Sequence, residues 1–384
     1  MPPLSGIRIL DLSRLLPGPY ATLLLADLGA EVIKVETPRV GDYARHAPPE
    51  FGGNDMFYLL NRGKKSVGLN YRNKRGREIF LELATSADVI IETFKPGSVD
   101  KWKIGYEAVK AINPGVVYCS LSGYGQDGPY RLRAGHDLNY VALAGMLGLN
   151  AAGGQPPVVP GVQVADLGGA MMATIAILGA LMGRERTGEG QYLDIAMLDT
   201  VVSLMMPVAG GWWHGTGQAP AAGKTPLGGG LPCYGVYETR DGQYLTFGAI
   251  EPPFWSTFCE KTGRPDLLKS AFVQADIPKV IELFKTQTAA EWLEMFEGQD
   301  VCLEPINSLT QAFNDPQIRH RGLTGGEVQP QRGKHFVGSP FPYPANDAPA
   351  PTLGANSMEI LGAAGIDQDE LEYLLEKKVI AAGG

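Results

Sequence analysis

The stretch IRILDLSRLLPGPYATLLLADLGAEVIKVE, residues 7–36, decides the fold class. Ile7 to Leu12 is an apolar run of strand length. The next segment has helical spacing of its apolar residues, with Pro19 near its start and Gly29 at its end, the expected asymmetry of helix termini. Glu31 to Glu36 then reads as a second strand, which completes a βαβ unit. The same alternation returns in GREIFLELATSADVIIETF (76–94) and in YEAVKAINPGVVYCSLSG (106–123). Helix and strand in strict alternation predict an α/β protein with a mostly parallel sheet covered on both faces.

Further along, the Gly/Pro-rich loop AAGGQPPVVP (151–160) leads into a helix expected over Asp166 to Gly183, and TGEGQYLDIAML (187–198) reads as a strand or hairpin running into another helix. GWWHGTGQAPAAGKTPLGGG (211–230) has a linker-like composition. CYGVYETRDGQYLTFGAI (233–250) is strand, Asp-Gly turn, strand. With the helical patterns PPFWSTFCEKTG and AAEWLEMFEGQD it forms a small α+β region ending near residue 325. The tail SMEILGAAGIDQDELEYLLEKKVI reads as two short helices, and no internal repeat is visible.

The chain has 384 residues, 33 Lys and Arg, 41 Asp and Glu, and a formal charge of −8, a balance that argues against general nucleic-acid binding. Four scattered cysteines (Cys119, Cys233, Cys259, Cys302), with no metal-ligand or redox spacing, suit a reduced, cytoplasmic setting. The N-terminus lacks the pattern of a secretory signal, and the apolar stretch Met171 to Met182 is too short to span a bilayer, so no membrane partner is expected. Basic residues cluster in NRGKK (61–65) and RNKRGR (72–77); such clusters are ordinarily solvated faces unless an anionic ligand explains them.

Gly123-Tyr124-Gly125-Gln126-Asp127-Gly128 has the spacing of a dinucleotide fingerprint. Pro129 follows at once, no helix start is in view, and no acid stands where a ribose would need it, so the dehydrogenase reading is set aside. The first βαβ unit has a Gly18 turn and Glu36 at the end of its second strand, where a nucleotide has room.

Three residues carry candidate chemistry. His136, in AGHDLNY, is either a hydrogen-bonded surface histidine or an acid/base group. Asp166 begins an apolar helix, where it either caps amides or faces a site. Glu251, in GAIEPPF, is either a turn acid or a partner for another titratable group.

The chain resembles the family III CoA-transferase superfamily and, within it, the α-methylacyl-CoA racemases. The resemblance runs nearly end to end, through residues 3–36, ETFKPG, GYGQDGP, AGHDLNY, VADLGG, GEGQYLDIAML, GAIEPPFW and LGANSMEILGAAGI. AGHDLNY and GAIEP point to the racemases, because transferases of the family usually carry an aromatic where His136 stands and lack the matching Glu. The resemblance implies a racemase that interconverts (2R)- and (2S)-2-methylacyl-CoA thioesters through an enolate, His136 serving one face of the α-carbon and Asp166 the other. Glu251 then orients the imidazole, amides at the start of the Asp166 helix stabilise the oxyanion, and Asp137 is structural or supporting. Arg62, Lys64, Lys65 and Lys95 become grips for the CoA phosphates. Thr37 stands where many relatives have Arg, with Arg39 as its substitute, and Val162 where the best-known racemases have Asn.

Neither a metal nor a separate cofactor is implied, CoA being part of the substrate. The implied architecture is a Rossmann-like large domain of residues 1–195 and 326–384, a linker of 196–225 and a small α+β domain of 226–325, assembled as an interlocked homodimer. Two rivals remain. In a CoA-transferase, Asp166 is the nucleophile and passes through an aspartyl-CoA thioester; a non-catalytic acyl-CoA-binding protein has no use for the three acid/base residues.

Overall fold

In the computed structural model, residues 1–383 are described except 52, 216, 218, 325–337, 344, 345 and 347. The chain divides into two compact units. One comprises residues 1–144, 162–203 and 316–384; the other comprises 145–161 and 204–315.

The first unit is built on a seven-stranded sheet. Its strands are β1 (Arg8–Asp11), β2 (Glu31–Glu36), β3 (Lys65–Leu69), β4 (Val89–Glu92), β5 (Val117–Ser122), β6 (Tyr192–Ala196) and, from the chain's far end, β10 (Ile380–Ala381). Their order is β10-β3-β2-β1-β4-β5-β6. All neighbours run parallel except β10, which lies antiparallel on β3. The central strands are near-continuous apolar runs because helices cover both faces: Ile9, Leu10, Val89, Ile90 and Ile91 are wholly buried. Register is reinforced at the edge of the β1–β2 pair, where Arg8 faces Glu31 and its Nε donates to Oε2 at 2.8 Å.

The chain passes from β1 to β2 and β3 on one side, then crosses back to β4 on the other. That reversal leaves a crevice at the carboxyl ends of β1 and β4, the usual ligand position in open α/β sheets. The helix Pro17–Asp27 follows β1, and Gly18 is obligatory at its start. A Cβ there would collide with the Ser13 side chain and come within 2.9 Å of Thr93 Cγ2.

The helix Val164–Thr187 is longer than the stretch expected from sequence. Contrary to the sequence reading, its 24 residues are long and apolar enough to cross a bilayer, though half of its apolar window is buried within the protein. Ala170, Ala173 and Ile177 are buried, whereas Met171, Ile175 and Met182 on the other face are exposed.

The second unit holds an antiparallel sheet of β7 (Tyr234–Glu238), β8 (Tyr244–Gly248) and β9 (Leu303–Pro305), in that order. Its core is aromatic: Phe247, Phe258, Phe284 and Trp292 are all buried and in ring contact. The indoles of Trp255 and Trp292 donate to the Leu267 and Phe284 carbonyls, which satisfies their buried N–H groups. Residues 196–225, expected as a linker, carry the helices Met197–Leu204 and Met206–His214. All four cysteines are free; Cys119, Cys233 and Cys259 are buried and Cys302 is exposed.

Candidate active site

A cavity of about 510 Å³ opens at the crevice of the first unit. Its wall comes from the turns after β1 (Arg14, Leu15, Pro17), β4 (Thr93 to Pro96) and β5 (Ser122 to Tyr124), and from the segment Arg131 to His136 with Asn139, Tyr140 and Asp166. His136 and Asp166, paired by the sequence reading, line the same cavity.

His136 is the N-cap of the helix Asp137–Leu143, in extended backbone conformation, and its N–H donates to Asn139 Oδ1 at 2.9 Å. Gly135 before it has no room for a side chain: a Cβ would lie 2.8 Å from both Tyr124 Oη and Tyr140 Cε1. The Tyr140 hydroxyl donates to the Gly135 carbonyl at 2.6 Å, and its ring meets Tyr124 edge-on. The histidine is thus mounted on a packed turn.

Asp166 is in the first turn of the helix Val164–Thr187, but it does not cap that helix. The cap comes from Asp137, whose Oδ1 accepts from the amides of Ala165 (2.6 Å) and Asp166 (3.0 Å). Those amides were the expected oxyanion donors. A carboxylate already holds them, so that expectation is corrected and Asp137 is assigned the capping role. No described group donates to the Asp166 carboxylate. Burial, and then the charge of Asp137, push it up to about 7. A carboxyl poised there exchanges protons readily at neutral pH.

The cations fall into two sets. Arg62 pairs with Asp27 through both guanidinium arms, at 2.5 and 2.7 Å, and is buried. Lys64 Nζ is fully enclosed, donating to Thr22 Oγ1 (2.7 Å), Asn61 Oδ1 (2.9 Å), the Pro19 carbonyl (3.0 Å) and Asp11 Oδ2 (3.2 Å). The expectation that these two grip phosphates is corrected, since both are buried and their charges are met by Asp27 and Asp11 inside the fold. Lys65 is partly exposed but bridges Glu31 and Glu359, and Arg39 is exposed beyond β2.

Lys95 alone of the expected grips lines the cavity, and the sequence reading missed its companions Arg14, Arg131 and Arg133. None of these four forms an ion pair with a described residue. Arg14 lies against the rings of Tyr43 (4.7 Å) and Phe94 (4.8 Å), and Arg133 over Tyr130 (5.1 Å). The signal was in RLRAGH, which brings two arginines within five residues of His136.

Glu36 is not free for a ribose: it accepts from Arg45 Nε and Nη2, the Asp42 amide and Ser66 Oγ. Glu92, buried at the end of β4, accepts from the Phe94 amide at 2.6 Å and fixes the turn that carries Lys95; burial pushes its carboxyl up to about 7. Glu251 belongs to the second unit, exposed, at the N-cap of the helix Pro252–Lys261. Val162 is exposed. Among the described residues no group of His, Cys, Asp and Glu could hold a metal ion.

A cavity at a sheet's switch point, lined by cations that pair with no described carboxylate and by an imidazole and a carboxyl, suits an anionic ligand. The chain belongs to CoA-transferase family III, whose family model matches residues 4–357. It is 36% identical to the human succinyl-CoA:glutarate CoA-transferase, over 94% of this chain and 85% of that protein. It is 33% identical to the human α-methylacyl-CoA racemase, over 98% of this chain and 97% of that one. The structure of a CAIB/BAIF family protein from Brucella suis superposes with a TM-score of 0.77 at 30% identity, covering 94% of this chain and 99% of that one. The protein is therefore an enzyme of the family III CoA-transferase and racemase superfamily, with relatives of both reaction types at similar identity.

Proposed function

We propose that the enzyme is a racemase that interconverts (2R)- and (2S)-2-methylacyl-CoA thioesters. One group takes the α-proton, the electron pair passes to the thioester oxygen as an enolate, and the other group returns a proton to the opposite face. His136 and Asp166 are the two groups, Glu251 of the partner subunit is the carboxylate that orients the imidazole, and Arg14, Lys95, Arg131 and Arg133 meet the CoA phosphates. The observation that carries this reading is the sharing of one cavity by an imidazole and a carboxyl poised near neutrality. No cofactor is needed beyond the CoA that the substrate carries.

A second reading is supported by the 36% identity to a CoA-transferase. There the Asp166 carboxylate attacks the thioester carbonyl and displaces CoA thiolate to leave a mixed anhydride, and the thiolate then attacks the aspartyl carbonyl, expelling the first acid as its carboxylate and leaving an aspartyl-CoA thioester. Incubation with a 2-methylacyl-CoA in heavy water separates the two. Deuterium at the α-carbon, lost in His136→Ala and reduced with a shifted pH profile in Glu251→Gln, supports the racemase. No exchange, together with an adduct on Asp166 trapped by hydroxylamine, supports the transferase.

The exposed apolar face of the helix Val164–Thr187 (Met171, Ile175, Met182) supports a homodimer as the working form. Light scattering of the purified protein that gave the mass of a single chain would remove that part of the reading.

A further inference from the structure

The turn Ser13–Leu15, which brings Arg14 to the cavity, is held from beneath by buried charges. Asp11 Oδ1 accepts from the Ser13 amide (2.9 Å) and from the Ser13 hydroxyl. Lys34 Nζ donates to the Ser13 carbonyl (2.9 Å), the Arg14 amide to Thr93 Oγ1 (3.2 Å), and the Leu15 amide to Asp42 Oδ1 (3.0 Å). Lys34 and Asp42 pair at 3.0 Å, neither with any side-chain exposure.

Leu15 has φ +66°, a left-handed conformation that a leucine adopts only at a steric cost, and the residue is 41% exposed, so burial gives little return for that cost. The hydrogen bond from its amide to Asp42 Oδ1 is made in that conformation. The turn carries a guanidinium that lies over the rings of Tyr43 and Phe94, pairs with no described carboxylate and lines the cavity, where an anion can meet it.

We propose that Asp42, supported by Lys34, is a positioning residue of the ligand site: it touches no ligand, and it locks the Ser13–Leu15 turn so that Arg14 meets the phosphates of an acyl-CoA. This rests on the reading of the cavity as a CoA thioester site. A merely structural ion pair makes a different prediction, because the turn depends on the oxygen that accepts the Leu15 amide rather than on the charge. Asparagine keeps that oxygen; alanine does not.

The test is calorimetric titration of free coenzyme A into the full-length wild type and the variants Arg14→Ala, Asp42→Ala, Asp42→Asn and Arg14→Ala/Asp42→Ala, each well below its melting temperature. Arg14→Ala and Asp42→Ala are each expected to raise Kd about tenfold, the usual scale of one charge-assisted contact. The double variant should be no weaker than either single one, and Asp42→Asn should recover most of the affinity while still losing thermal stability. Folded Asp42→Ala binding like wild type, a double variant that multiplies the two losses, or Asn failing to rescue would each overturn the proposal.

Should Asp42→Ala not fold, hydrogen exchange on the wild type decides. The Leu15 amide is expected to be protected before coenzyme A is added, and protection acquired only on addition would overturn the proposal. Wild type that binds no coenzyme A would instead remove the proposed function.

Discussion

Two groups of charged side chains, which meet in sequence only at Asp11 and Arg14, differ in how they are paired. In the first, Asp11, Lys34, Asp42 and Lys64 form a buried network beneath the cavity, each charge facing an opposite one. In the second, Arg14, Lys95, Arg131, Arg133, His136 and Asp166 stand around the cavity, and no ion pair joins the cations to a described carboxylate. Burying a charge costs several kcal/mol, roughly, unless a partner meets it, so a paired charge in a core serves the fold. A cation that no described carboxylate meets at a concave surface, on a chain of net charge −8, is open to an anion from solution.

The titration behaviour of the buried set follows from its pairing. Burial alone would raise the Asp11 carboxyl, but Lys34 and Lys64, with the hydroxyls of Ser13 and Thr22, lower it from 3.8 to about 2. The folded value lies below the unfolded one, so the stabilisation is present above pH 4 and is lost as pH falls through about 2. Lys64 is lowered as well, which for a cation disfavours the charged form. Its own burial, aided by Lys34 and opposed by Asp11, lowers it to about 8.

The contrast breaks most visibly where a pair is cut. Arg62→Met removes the partner of buried Asp27 and is expected to destabilise the protein by about 3–5 kcal/mol, read from urea unfolding. Coenzyme A affinity of the folded fraction should not change. If it weakened, the assignment of Arg62 to the fold rather than to the ligand would be wrong.

Next in size is Gly18→Ala, which forces a methyl group against Ser13 and Thr93 and is expected to cost about 1–3 kcal/mol. Because Ser13 is the hinge between the two sets of charges, this variant should lose affinity as well as stability. Wild-type affinity after a clear drop in Tm would show that the turn tolerates displacement.

Arg131→Ala probes the other side of the comparison. An exposed arginine without a described ion pair should leave stability within about 0.5 kcal/mol of wild type. It should still weaken coenzyme A binding about tenfold at low salt, and by less as ionic strength rises. Stability lost with affinity intact would reverse the assignment.

The contrast also explains what the sequence made legible. The apolar runs of β1, β2, β4 and β5 announce a parallel sheet because strands buried on both faces must be apolar throughout. β3 is hidden: Lys65–Leu69 follows Arg62 and Lys64, and a run of cations reads as a solvated or ligand-binding surface until Asp11 and Asp27 are seen to meet it. β9 and β10 span three and two residues, too few to show alternation. His136 and Asp166 were paired through the family resemblance, and the structure puts both in the wall of one cavity. The roles of Asp137 and Asp42 were not, because capping and turn-holding are set by contacts across 28 and 27 positions of sequence that no local pattern records.

The smallest expected effect is the most specific to the site. Asp137 is the second cause of the raised Asp166 carboxyl, after burial, so Asp137→Asn should lower that group while leaving most of the shift in place. Where Asp166 acts as the base, exchange rises as pH passes upward through its ionisation near 7; with Asp137 neutral the same rise should come at lower pH. Asparagine keeps an oxygen for the Ala165 and Asp166 amides, so the cap survives in weakened form and the helix start need not move. A pH–rate profile of α-deuterium exchange for the two proteins reads the displacement directly. An acid limb that stayed in place would mean that His136, not Asp166, governs it, and one displaced upward would mean that Asp137 had been stabilising the ionised form through the helix start it caps.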